Sequence, residues 1–334
     1  MKKYWLAFVT LIGLMLFPQL ANADSADFTV ATVQNEYQDT NKTSYYSLKM
    51  APQTSTTLAL QVYNTGKQSD IYDVNVNTGI TNSNGALDYT QVASTKNLSV
   101  PKELQFNKIA TLVQKTITVD AGQMGTINVS IALPDMSFSG KILGGITVTR
   151  HVRETEKKTT GLTSRFAYAV PIVIRQSDDT VTPKLNADKL ALQTDAKTNV
   201  NELVASIQNI TPTIINGVTI KSELINAKGK VVFTKTDKNH AIAPQSNFTY
   251  HTSLNNQNFT TGAYIYRLKI SDNDHHSWKW DSTVNITQKK AKAIAKVANK
   301  NTIHKPINWI VVALGIMAVI IVVLISVLWY ILAR

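Results

Sequence analysis

The chain of 334 residues contains no cysteine. That excludes disulfide staples, thiolate metal sites and cysteine nucleophiles, so exported domains would be held by hydrophobic packing alone. Catalytic patterns are equally scarce. The histidines His151, His240, His251, His275, His276 and His304 show no H-E-x-x-H or other metal spacing. There is no G-x-S-x-G, and Ser139-Gly140-Lys141 lacks both the earlier glycine and the following Ser or Thr of a phosphate loop. Asp272-Asn273-Asp274 starts like a calcium loop, but it has no central glycine and Thr283 stands where the closing glutamate belongs; it reads as a hairpin turn. No nucleophile, base and oxyanion donor assemble, so the expectation is a non-enzyme with no cofactor and no metal.

Charge is missing from Ile307–Ala333. As a helix, residues 307–331 would span about 37 Å, enough for a hydrocarbon core of about 30 Å. Trp309 and Trp329-Tyr330 would lie near the two interfaces. Only Leu332, Ala333 and Arg334 follow, too little for an inner signalling domain. At the other end, residues 1–23 read as a signal peptide: Lys2-Lys3, an apolar Tyr4–Phe17, and Ala21-Asn22-Ala23 as the cleavage site. Together these predict a cell-membrane protein with its N-terminal ectodomain outside, anchored by one helix.

Acid is missing from the stretch before that helix. Residues 289–306 carry Lys289, Lys290, Lys292, Lys296, Lys300 and Lys305 with no Asp or Glu, and the apolar positions fall at helical spacing. This lysine-rich stalk is either a solvated spacer or a contact for anionic head groups or wall polymers. It also explains the formal charge of +12: setting aside Lys2, Lys3, the six stalk lysines and Arg334 leaves +3 across residues 24–288. A nearly balanced ectodomain removes the case for nucleic acid as a partner.

What the ectodomain does contain is a period of two. Leu58, Leu60 and Val62 alternate with Ala59, Gln61 and Tyr63; Ile127, Val129 and Ile131 repeat the pattern; so do Leu203, Ala205 and Ile207, and Tyr264, Tyr266, Leu268 and Ile270. Such alternation makes half-buried antiparallel strands. Turn signals such as Asn82-Ser83-Asn84-Gly85 and Ala227-Lys228-Gly229 separate them. The polar run Arg153–Gly161 marks a boundary between domains at 24–155 and 160–288. The predicted fold is all-β: two tandem immunoglobulin-like β-sandwiches, a helical stalk and one C-terminal transmembrane helix. Val100–Phe106 has the makings of a helical turn.

Several stretches resemble the WxL-interacting protein family of Gram-positive bacteria. Tyr45-Tyr46-Ser47-Leu48, Thr81–Tyr89 (TNSNGALDY) and Phe138–Ile146 (FSGKILGGI) are similar to its peptidoglycan-binding domain. Phe166-Ala167-Tyr168, Ala205–Asn209 with Pro212, Ile242–Ser246, Gly262-Ala263-Tyr264 and Trp278-Lys279-Trp280 are similar to its host-binding domain. The resemblance covers nearly the whole ectodomain. The departures touch turns more than the core: Val33–Gln38 is not proline-rich, and Pro52-Gln53 replaces a Pro-Gly. The chain carries no W-x-L of its own, so it resembles the partner. The resemblance implies a surface adhesion protein that binds peptidoglycan, partners WxL-domain surface proteins or a host extracellular protein, and reaches the plasma membrane through its C-terminal helix. The alternative class is an accessory or catalytic subunit of a wall-glycan-processing complex, which would need two facing carboxylates in a cleft.

Candidate ligand contacts in the Thr78–Thr90 loop are Asn82 and Asn84, for their amide groups, and Tyr89, for its ring. Against this, Asn84-Gly85 also suits a simple hairpin turn, and Gly144-Gly145 suits close backbone approach. Trp278 and Trp280 fall on one strand face, suited to core packing or to stacking on a sugar.

Overall fold

A computed structural model describes residues 27–93, 97–152, 166–194, 201–254 and 259–292, with isolated positions at 317, 320, 324 and 329–332. In the first half the alternating stretches become β1 (Phe28–Thr32), β2 (Tyr46–Lys49), β3 (Ser55–Asn64), β4 (Asp70–Thr78), β5 (Ile80–Thr81), β6 (Leu87–Asp88), β7 (Ala110–Leu112), β8 (Thr116–Val119), β9 (Met124–Ala132), β10 (Ile142–Arg150) and β11 (Ala167–Arg175). Two sheets form, ordered β1-β3-β9-β7 and β2-β11-β10-β4-β8. Neighbours are antiparallel except β11 and β2, which run parallel.

The period of two decides what lies between the sheets. Leu58, Leu60 and Val62 of β3 and Ile127, Val129 and Ile131 of β9 point inward, against Val74, Ile146, Val148, Ile172 and Ile174 of the opposite sheet. Each such burial contributes about 1.5–3 kcal/mol. The intervening residues, among them Gln61, Tyr63, Thr126 and Asn128, point outward.

One strand crosses the boundary read from sequence. The break at 153–161 is not where the two sandwiches divide, because β10 and β11 on either side of it are hydrogen-bonded neighbours over Ile142–Thr149 and Ala167–Ile174. Polarity along the chain does not record which strands pair across such a break. The crossing to the second half comes after Arg175, and the first sandwich is completed by a strand expected in the second.

The second half contains β12 (Leu185–Thr194), β13 (Asn201–Asn209), β14 (Ile215–Asn226), β15 (Val231–Ile242), β16 (Asn247–Ser253), β17 (Gly262–Ser271) and β18 (Ser277–Ile286). They make sheets ordered β12-β13-β16 and β15-β14-β17-β18, all antiparallel, around a separate core that includes Leu203, Ile207, Ile220, Leu224, Tyr266 and Leu268. Trp278 and Trp280 are partly buried and pack against this core. Residues 272–276 turn the chain between β17 and β18: Asp272 Oδ1 accepts from the backbone N–H of Asp274 and of His276 at 3.0 and 2.9 Å.

No helix among the described residues is long and apolar enough to cross a membrane. The span expected at 307–331 lies outside the described residues except at the isolated positions, and the leader, 1–23, lies outside them entirely. Of the stalk only 289–292 is described, in a helix that begins at Gln288.

Candidate functional site

The loop that follows β4 carries the three candidate contacts. β5 and β6 pair as a two-stranded hairpin, Ile80 opposite Asp88. Its turn needs a left-handed residue, supplied by Gly85 at φ 71°. Asn82 is spent on that turn: its Oδ1 accepts from the N–H of Asn84 at 3.0 Å and of Ala86 at 3.2 Å. Asn84 is exposed. Tyr89 is not a surface platform. It is 8% exposed and packs with Leu143 and Ala243. Burial, with the charge of Asp88 beside it, pushes its phenol up to about 12. The structure therefore separates the three: one holds a turn, one faces solvent, and one is sealed in.

What seals Tyr89 is the second sandwich, because Ala243 follows β15. The same hairpin makes the buried junction between the halves. The N–H of Ala243 donates to Thr81 Oγ1 at 2.9 Å, and Ser246 Oγ donates to the Ala243 carbonyl at 3.1 Å. Thr81 and Ser246 hydroxyls lie 2.8 Å apart. Since Ser246 spends its proton on Ala243, Thr81 is the donor of that pair. Thr81, Ala243 and Ser246 are all at most 1% exposed. Backbone pairing extends the seam: Ser99 N–H donates to Gln245 O at 2.8 Å, Asn247 N–H to Asn97 O at 2.9 Å, Ala241 N–H to Gly85 O at 3.1 Å and Lys141 N–H to Pro212 O at 2.7 Å. Gly140 has φ 78°, and any side chain there would run into the Pro212 carbonyl. The Gly-Gly pair read from sequence serves close packing: a Cβ at Gly144 would fall inside the Phe106 ring, and one at Gly145 would lie 2.7 Å from Tyr89 Cβ.

Beside the seam runs a polar groove of about 500 Å³. Arg175, at the end of β11, lines it. It donates Nη2 and Nη1 to Asp39 Oδ1 and Oδ2 at 2.8 and 3.0 Å, and Nε to Asp178 Oδ1 at 2.8 Å. Lys49 also pairs with Asp178. The Arg175 hydrogen bond holds the Asp39 carboxyl below its usual range, and Lys49, then Arg175, do the same for Asp178. Across the groove, Asp272 Oδ2 is 2.8 Å from His276 Nδ1. Asp178 and Asp272 are thus each committed to cations or to a turn, and they do not form a facing pair ready for acid–base work. Among the described residues no group of three His, Cys, Asp or Glu is arranged to hold a metal.

The outward face of β15-β14-β17-β18 is charged. Lys221, Lys269 and Lys279 stand in one cross-strand row, and Glu223, Arg267 and Asp281 in the next. Glu223 is 2.7 Å from Lys221 and 3.2 Å from Lys269; Arg267 meets Asp281 with two bonds of 2.8 Å. Burial raises the Glu223 carboxyl, but its two lysines outweigh that and hold it below the ordinary value. Sequence reading missed this ladder, because it depends on register between strands distant in the chain.

Two family models match the chain. The one described as WxL Interacting Protein, peptidoglycan binding domain, matches residues 28–150, and the one described as WxL Interacting Protein, host binding domain, matches residues 157–296. No curated protein matches. Among solved structures, the chain is similar to the Pseudomonas aeruginosa CupB2 chaperone at 13% identity, covering 69% of this chain and 92% of that one, with a TM-score of 0.29. It is also similar to the E. coli chaperone DraB at 12% identity, over 69% and 89% of the two chains, with a TM-score of 0.27. Scores this low carry no argument.

Proposed function

The chain belongs to the WxL-interacting protein family, and on that footing we propose that it is a cell-surface binding protein whose two sandwiches divide the work. The first attaches to peptidoglycan. The second engages a WxL-domain surface protein or a host extracellular protein. Residues 307–331 hold both to the plasma membrane, with the N-terminal part outside and the three last residues within. The observation that carries this reading is that the two matched binding domains coincide with two separately cored sandwiches, displaced by one strand at the boundary. Both matched domains are named for binding, which favours a non-enzyme. The immunoglobulin-like reading of the sandwiches rests on their two-sheet, largely antiparallel build.

Two weak contacts on one tethered chain reinforce each other, because the second becomes intramolecular. The hydrogen-bonded seam joins the two sandwiches that would carry them. The test is a pulldown of the soluble fragment Asp24–Gln288 on purified peptidoglycan and on extracts of the same cell surface. Retention on peptidoglycan together with capture of a surface protein supports the reading; failure on both overturns it. Topology is tested separately. External protease on wall-stripped cells should release large ectodomain fragments, and protection would contradict the outside placement.

A further inference from the structure

One sheet of each sandwich presents an outward face, and these two faces have opposite chemistry. In the second, six charged side chains stand across three strands. In the first, no outward residue of β1, β3, β9 or β7 carries a charge. The register aligns Thr29, Tyr63 and Met124 in one row and Gln61 and Thr126 in the next, with Asn128 one row further. Tyr63 is 40% exposed and Met124 58%. Protein surfaces are ordinarily about a quarter to a third charged, so a four-stranded face without one charge is a departure that asks for a cause.

We propose that this face is where the first domain holds wall glycan, and that it takes the neutral N-acetylated aminosugar backbone, not the charged stem peptide. The proposal rests on the peptidoglycan reading above and adds to it a site and a substrate class. Gln61 and Asn128 offer both donor and acceptor, matching sugar hydroxyls and acetamido groups. Thr29 and Thr126 add hydroxyls. Tyr63 lies beside them as a flat apolar surface with a polar tip, suited to one face of a pyranose. Strands repeat about every 4.8 Å, close to the length of one sugar ring, so a chain lying across them meets a fresh strand at each sugar. A peptide carboxylate or a polyphosphate would find no counter-charge here and would lose hydration without compensation. The face is also built from rigid strands, which lowers the ordering cost that a loop would impose.

The test uses the full chain in mild detergent and two probes: purified peptidoglycan, and insoluble chitin, which has the aminosugar backbone and no peptide. The native chain should sediment with both. Tyr63→Ala and, separately, Thr126→Glu should each weaken both by about tenfold or more, the size expected for losing a central anchor or inserting an unpaired charge. Both positions face outward, so each variant should lose no more than about 1 kcal/mol of stability and stay folded at the assay temperature. Lys269→Gln, on the other sandwich, should bind as the native chain does. Sedimentation with neither probe overturns the peptidoglycan reading itself. Sedimentation with peptidoglycan alone, or native binding by both variants, overturns this face as the site and leaves that reading standing. A dimer in light scattering that Thr126→Glu dissociates would make it a self-association face and would overturn the proposal equally.

Discussion

Gly144 has room for hydrogen alone, because the Phe106 ring lies where a Cβ would go. Gly144→Ala should therefore overpack the first core and cost about 1–3 kcal/mol. Chemical denaturation would read it, and an unchanged midpoint would contradict the packing described. The need for close approach at Gly144-Gly145 was legible in the sequence, and so was the left-handed turn at Gly85. The burial of Tyr89 was not: alternation says which face of a strand is inward, but not which loop a second domain will cover. Asp39 gives a second prediction. Its folded carboxyl lies below the ordinary value of 3.8, chiefly through Arg175, so it protonates later than in the unfolded chain. A depressed carboxylate stabilises the fold above the ordinary value, and this contribution is lost as pH falls through the folded one. Asp39→Asn should cost about 1 kcal/mol at neutral pH, since the pair is only partly shielded from water. It should also flatten the fall in stability below about pH 4. An identical acid profile in the variant would remove Asp39 from the account.

At the scale of elements, β11 decides where the first domain ends. It lies between β10 and β2 and buries Val170, Ile172 and Ile174. A fragment stopping at Arg153 would leave those neighbours unpaired and their apolar face open. We expect residues 24–153 to aggregate or melt without cooperativity, and residues 24–183 to fold. Proteolysis and circular dichroism would distinguish them; cooperative melting of the shorter fragment would contradict the strand order. The strand itself was legible from the alternation of Tyr168, Val170 and Ile172, but its sheet was not, because periodicity carries no information about pairing partners. The short helical turn at Lys102–Leu104 falls where Val100–Phe106 suggested one, and a second, Phe106–Ile109, begins at the end of that stretch and runs beyond it. The Asp272–Asp274 turn and the packing of Trp278 and Trp280 were likewise readable, since a sandwich face must be covered.

For the whole molecule, the seam ties two cores together. Thr81→Val keeps the shape but removes the acceptor of the Ala243 N–H, leaving a buried polar group unmet at a cost of about 1–3 kcal/mol. Because that cost falls at the junction, the variant should melt in two steps or show faster amide exchange along the seam, with each core intact. A single transition shifted by nothing would mean the junction contributes little. The division of labour is the central claim, and co-sedimentation of the two halves, cut in the crossing at residue 183, tests it most directly. Residues 24–183 should sediment with purified peptidoglycan, while residues 184–292 should stay in solution and capture a surface or host protein. If the second half sediments and the first does not, the assignment of roles is wrong.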